Sequence, residues 1–169
     1  MEIPADWKRD FALESLYTPD AWFIHDLVLL DEIGGVIRAV TDTTRLGFLV
    51  DAQRTWPGHD KHLPGAVAVQ ITGTLGQLHA IYLLGLRASA GWVGFGTHLK
   101  KARFPRMGRI GPPLVVECHV QRSRKLKNTV FNDYRFAFFQ EEALVYESEQ
   151  TAAFFDGRAA TRAPADPES

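Results

Sequence analysis

The chain has 169 residues, 46% of them hydrophobic and 23% charged, with a formal net charge of −1. That length supports one domain with its own core, and the near-neutral balance argues against nucleic acid, whose partners carry a basic excess. With Cys118 as the only cysteine, an intrachain disulfide and a cysteine-rich metal site are excluded.

The first residues, MEIPADWKRD, lack the apolar run of a secretory signal, so a cytoplasmic location is expected. Residues 1–21 mix Pro, Asp and aromatics, with room for a short helix around 11–17. WFIHDLVLLD (22–31) has the composition of a strand with one buried face. Gly34-Gly35 then marks a turn, and VIRAVTDTT resumes as a second, β-branched strand, so the pair reads as a hairpin. Residues 45–62 lose periodicity and gather Pro57, Gly58, His59, Asp60, Lys61 and His62. This is a loop that leads straight into a helix start, where backbone amides point outward unpaired.

Residues 63–86, LPGAVAVQITGTLGQLHAIYLLGL, contain no Asp, Glu, Lys or Arg. After Ala66 they read as one helix, apolar on nearly every face and therefore buried or membrane-spanning. Gln70, Thr72, Gly73, Thr74, Gly76, Gln77 and His79 are too many polar or small residues for a lipid-facing helix, so no membrane is expected. The helix is read as the centre of the domain. Four strand-like segments follow, VGFGTHLKKARF, PLVVECHVQRSRK, TVFNDYRFAFFQ and ALVYESEQTAAFF. Their separators are short or turn-like, so consecutive strands are expected to pair antiparallel. In LVVECHVQ, Val116, Cys118 and Val120 face one way and Glu117, His119 and Gln121 the other, the pattern of a sheet packed on one side. The last residues, GRAATRAPADPES, carry no bulky apolar side chain and read as a disordered tail. The expected organisation is an α+β domain over residues 1–156, one sheet curled around one helix, with a tail over 157–169.

Two basic clusters, Arg122, Arg124, Lys125 and Lys127, and Lys100, Lys101, Arg103, Arg106 and Arg109, read first as solvated strand ends. Their functional alternative is a docking patch for an acidic carrier or the phosphates of a pantetheine nucleotide.

The element order, with LPG opening an apolar helix, resembles the hotdog fold. Within it, TWPGHDKHLPGAVAVQ, GQLHAIYLLGL and GFGTHLKKARFPRMGRIGPPLVVECHVQR are similar to segments of the 3-hydroxyacyl-carrier-protein dehydratases. The resemblance implies a homodimer with acyl-thioester tunnels at its interface. It also implies a loop histidine as base, a helix carboxylate from the partner subunit as acid, and helix-start amides holding the thioester carbonyl. Aligned on LPG, the carboxylate position falls on Gln70 and the loop-histidine position on Thr55. An amide is no acid, so the standard dyad is absent.

Gly65 and Ala66 fall where the carbonyl-binding amides are implied, a role that needs only backbone. His62 and His59 are the replacement bases, His62 being nearer the helix. Both also read as loop histidines in water or bonded to Asp60. Gln70 is suited to orient water or bond the thioester oxygen, or else is a glutamine satisfied by neighbouring backbone. Thr55 is suited to bond a carbonyl, or is a turn residue. His79 lies roughly half a turn out of phase with Gln70 and reads as structural. His25, His59 and His98 show no zinc-site spacing, and neither metal nor cofactor is implied. Three readings follow: a divergent dehydratase or isomerase, a thioesterase, and a non-catalytic subunit completing the tunnel of an active hotdog partner. Each takes acyl thioesters of carrier protein or coenzyme A, in a homodimer or a heterodimer.

Overall fold

The computed structural model describes residues 1–160. Helix α1 (Trp7–Glu14) precedes the hairpin β1 (Asp26–Asp31) and β2 (Val36–Thr41), followed by the short α2 (Phe48–Asp51) and the long α3 (Gly65–Tyr82). Strands β3 (Trp92–Arg103), β4 (Leu114–Leu126), β5 (Thr129–Gln140) and β6 (Ala143–Asp156) complete the sheet, and α4 (Gly157–Ala160) is a single turn. The disordered tail expected from residue 157 thus opens with one helical turn; its remainder lies outside the described residues.

The first hairpin turns where the sequence places it. The Asp31 carboxylate accepts from the amides of Ile33 and Gly34 (3.1 and 3.0 Å), and Gly35 supplies the positive φ the turn needs. At the other tight turn Glu141 and Glu142 both take positive φ, 47° and 66°, which matches the right-handed twist of the flanking strands β5 and β6. The six strands form one antiparallel sheet in the order β1-β2-β4-β5-β6-β3.

That order corrects the expectation that consecutive strands pair throughout. β3 pairs with β6, and β4 pairs with β2. Residues 104–113 are no hairpin turn: they pass beneath the start of α3, where the Leu63 amide donates to the Gly108 carbonyl at 2.8 Å and His62 bridges Arg109. The N-terminal helix also lies four residues earlier than its sequence suggests. Trp7 and Phe11 anchor it against Trp22, and Tyr82 of α3 donates its hydroxyl to the Trp7 carbonyl at 3.0 Å. Arg87 then clamps Asp10 (3.0 and 3.1 Å).

The main core lies between α3 and the concave face of the sheet. Val67, Ala68, Ile71, Leu75 and Leu78 of the helix are buried with Ile37, Leu114, Val116, Cys118, Phe136, Phe138 and Tyr146 of the strands. Each large apolar side chain so buried stabilises by about 1.5–3 kcal/mol relative to exposure. The helix is not covered all round, as its composition suggests. Gly65, Ala66, Val69 and Gly73 form an exposed stripe, with Val69 41% accessible.

Candidate functional site

The loop before α3 is built by local hydrogen bonds that its polar residues supply. Asp42 caps the turn at Thr43–Arg45 by accepting from the Thr44 amide at 3.0 Å. Trp56 and His59 exchange backbone hydrogen bonds (3.1 and 2.8 Å) around Gly58, whose φ is +80°. Gln53 then pins the backbone of His62, accepting from its amide at 2.9 Å and donating to its carbonyl at 2.7 Å. The side chains of Thr55, His59 and His62 are exposed. The loop therefore holds its histidines at fixed backbone positions with their rings at the surface.

Pro64 enters α3 at φ −67°, extended, and the helix begins at Gly65. Gly65 and Ala66 are exposed in its first turn, where amides have no intrahelical acceptor and the helix dipole is positive. The Phe104 ring leaves room for glycine and little else at Gly65: a Cβ there would meet Cζ at 3.3 Å.

Between α3 and the sheet lies a cavity of about 210 Å³. Gln70, Thr72, Gly73, Gly76 and Gln77 of the helix form one wall. Tyr134, Phe136, Gln150, Ala152 and Phe154 of the sheet form the other, Gly94 and Gly96 of β3 its edge, and Leu16 and Tyr17 its cover. Of the expected site residues, only Gln70 lines it. Thr55, His59 and His62 do not, and among the described residues no Asp, Glu or His side chain does. Gln70 is half-buried and donates to the Ala21 carbonyl at 3.2 Å, so it has a backbone partner and also lines the cavity.

Sequence reasoning missed three parts of this site. Gln77 accepts from the Ser15 hydroxyl (2.9 Å) and the Leu16 amide (3.4 Å), fastening the cover. Gln150 donates to Thr72 (2.8 Å) and Ser148 (2.9 Å), tying helix to sheet inside the cavity wall. Leu16 and Tyr17 come from a segment with no distinctive pattern. The phase of Gln77 was readable, since residues seven apart share a helix face; the other two depend on tertiary contact.

His79 is structural, as its phase suggests. Its Nδ1 lies 2.9 Å from the Tyr134 hydroxyl, which also accepts from Asn132 at 3.0 Å. Burial lowers its pKa from 6.5 to about 4. Cys118 is buried in the core and burial pushes its thiol pKa up, so it is no nucleophile. His25 accepts from the Asp42 amide at 3.0 Å, and among the described residues no three His, Cys, Asp or Glu converge as metal ligands. Five of the basic side chains are engaged in ion pairs: Lys100 and Arg124 with Asp133, Lys101 with Glu149, Arg103 with Glu147, and Arg109 with Glu141. Among the described residues no helix is long and apolar enough to cross a membrane.

No protein-family model matches the sequence, and no curated protein is similar to it. Solved structures are. Thioesterase HI1161 from Haemophilus influenzae superposes with a TM-score of 0.60 at 17% identity, covering 93% of each chain. A mutant of thioesterase PA1618 from Pseudomonas aeruginosa gives 0.59 at 14% identity, over 92% of this chain and 96% of that one. A hypothetical thioesterase from Streptococcus pneumoniae, solved with coenzyme A, gives 0.56 at 14% identity over 88% and 96%. The fold is the hotdog fold. In this fold the sheet packs against α3, the loop carrying His59 and His62 leads directly into the helix start, and Gln70 lines the cavity five residues further on. The expected dehydratase likeness finds no support in these matches, and the cavity wall lacks the carboxylic acid that dehydration would use.

Proposed function

We propose that this hotdog protein hydrolyses acyl thioesters of coenzyme A. The observation that carries the reading is Gln70, a non-titrating amide facing the cavity between α3 and the sheet, just past a helix start whose amides are open. The thioester carbonyl sits against the Gly65 and Ala66 amides, which stabilise the oxyanion as it forms; removing one such donor typically costs about 10²–10³ in rate. Gln70 accepts a hydrogen bond from the attacking water. A loop histidine, His62 or His59, takes the proton as the water oxygen bonds to the carbonyl carbon. The tetrahedral intermediate then breaks its C–S bond, and the same histidine returns the proton to the departing thiolate.

Support for the partner comes from the Streptococcus pneumoniae neighbour, solved with coenzyme A. Support for hydrolysis over dehydration comes from chemistry: hydrolysis needs one base and an oriented water, whereas dehydration also needs an acid where Gln70 stands. Because the histidines are absent from the cavity wall of a single chain, the complete site in this reading includes the loop of a second copy.

The test is thiol release from a panel of acyl-CoA substrates, with intact mass to detect loss of water. Gln70→Ala is expected to lower kcat by about tenfold or more, and His62→Ala to abolish turnover if it is the base, with His59→Ala as the alternative. Loss of water without thiol release would sink hydrolysis in favour of dehydration. The absence of Asp, Glu and His from the cavity wall among the described residues also favours one second reading, a non-catalytic subunit that completes a partner's site. No turnover by the pure protein, with turnover restored by an active hotdog partner, would establish it.

A further inference from the structure

Gln70 and Gln77 are seven residues apart on α3, about 10 Å along the axis and within about 20° of the same face, and both line the cavity. The backbone fixes which way each amide points. The Leu16 N–H only donates, so the atom of Gln77 that meets it, together with the Ser15 hydroxyl, is the carbonyl oxygen. The Ala21 carbonyl only accepts, so the atom of Gln70 that meets it is the nitrogen. Each amide keeps its opposite end without a partner among the described residues: an acceptor oxygen on Gln70, a donor NH₂ on Gln77. Other polar groups that helix and sheet contribute to the wall are already bonded: Gln150 to Thr72 and Ser148, Tyr134 to His79 and Asn132, and Thr151 to Asp133.

We propose that Gln77 is a specificity-determining residue, and that the cavity takes a compact acyl group whose far end carries an oxygen that accepts from the Gln77 amide. This rests on the thioester reading above, in which Gln70 serves the water at the near end. The size follows from volume. At about 210 Å³ the cavity falls below the range of about 300–1,000 Å³ usual for drug-sized ligands, which favours a compact acyl group. The polarity follows from the unpaired donor: an apolar tail leaves the Gln77 NH₂ without a partner in a partly buried wall, whereas a keto, hydroxyl or ring oxygen satisfies it.

The experiment compares two thioesters of equal acyl size, 5-oxohexanoyl-CoA and 5-methylhexanoyl-CoA, with palmitoyl-CoA as the length control. Calorimetric binding of their hydrolysis-resistant ketone analogues, with a methylene in place of the sulfur, is measured alongside. The wild-type protein is expected to favour the oxo compound about tenfold, the worth of one net hydrogen bond, in both kcat/KM and Kd. Gln77→Glu keeps an acceptor for Ser15 and Leu16 but turns a second acceptor to the cavity, so the preference should vanish or reverse; Gln77→Met should bring the ratio near one. Equal handling of the pair by the wild type, retention of the preference in Gln77→Glu, or efficient turnover of palmitoyl-CoA would overturn the inference. A binding preference without turnover would instead sink the hydrolase reading and leave this one standing. Turnover of both with no preference would do the reverse.

Discussion

His79 shows how one buried residue couples the core to pH. It sits 3% exposed under α3 with its ring nitrogen on the Tyr134 hydroxyl, and burial holds its pKa at about 4 against 6.5 in the free side chain. The unfolded chain therefore binds more protons than the folded one between these values, so stability rises with pH across that window. His79 is neutral in both states above pH 6.5, where its contribution is complete; as pH falls, about 3 kcal/mol is lost by pH 4. His25, lowered by burial and by Arg45, pushes in the same direction. Urea denaturation between pH 5 and 7 should show a falling midpoint for the wild type and a shallower fall for His79→Gln. Equal slopes would mean the ring is reached by water. Glu14 has the same sense at lower pH, since its folded carboxyl also holds its proton less tightly than the unfolded one. Burial pushes its carboxyl up, but the Ser89 hydroxyl and amide and the Arg87 guanidinium outweigh it and hold it below the usual range, so its contribution fades only under acid conditions.

At the scale of elements, β3 and α3 set the shape of the cavity, and a glycine decides how closely they approach. A Cβ on Gly94 would overlap the edge of the Phe154 ring, which pairs with it across the strands and lines the cavity. Phe154 belongs to a small apolar cluster with Ala80 and Val130 that seals the end of the helix. Gly94→Ala must therefore displace the ring, at a cost of about 1–3 kcal/mol typical of overpacking, and shrink the space for an acyl group. Chemical denaturation should show this loss. Binding of the larger ketone analogue should weaken more than binding of a propionyl one; an unchanged ratio would show that Phe154 swings outward.

For the whole molecule, several features stay open at the surface. β3 is an edge strand of 12 residues paired only with β6, a surface that proteins usually protect or pair. Phe95 is 57% and Leu99 49% exposed on it, and the uncovered stripe of α3 and the loop histidines are also surface features. The homodimer we propose would cover that edge with a second copy and bring a second loop to each cavity. Sedimentation should give twice 18.9 kDa at micromolar concentration. Val69→Glu, in the stripe, should shift the protein towards monomer and lower turnover together. A wild-type monomer that still hydrolyses thioesters would remove the composite site.

By itself the sequence determined the elements and their order. Period-2 segments with β-branched residues become strands, the charge-free run after Pro64 becomes the central helix, and turn residues such as Gly34-Gly35 become turns. Each follows from forces acting over a few neighbouring residues: backbone sterics, alternation and the cost of burying charge. The element order implied one sheet curled around one helix, and the resemblance singled out Gln70. Only the tertiary structure decided that β3 joins β6 across the sheet, that the histidines lie at the surface, and that Ser15–Tyr17 closes over Gln77. Strand order and cavity walls depend on contacts between residues 50 or more positions apart, such as Gln77 with Ser15 and Gln150 with Thr72. No local pattern records such contacts, because their energy exists only once the core has assembled.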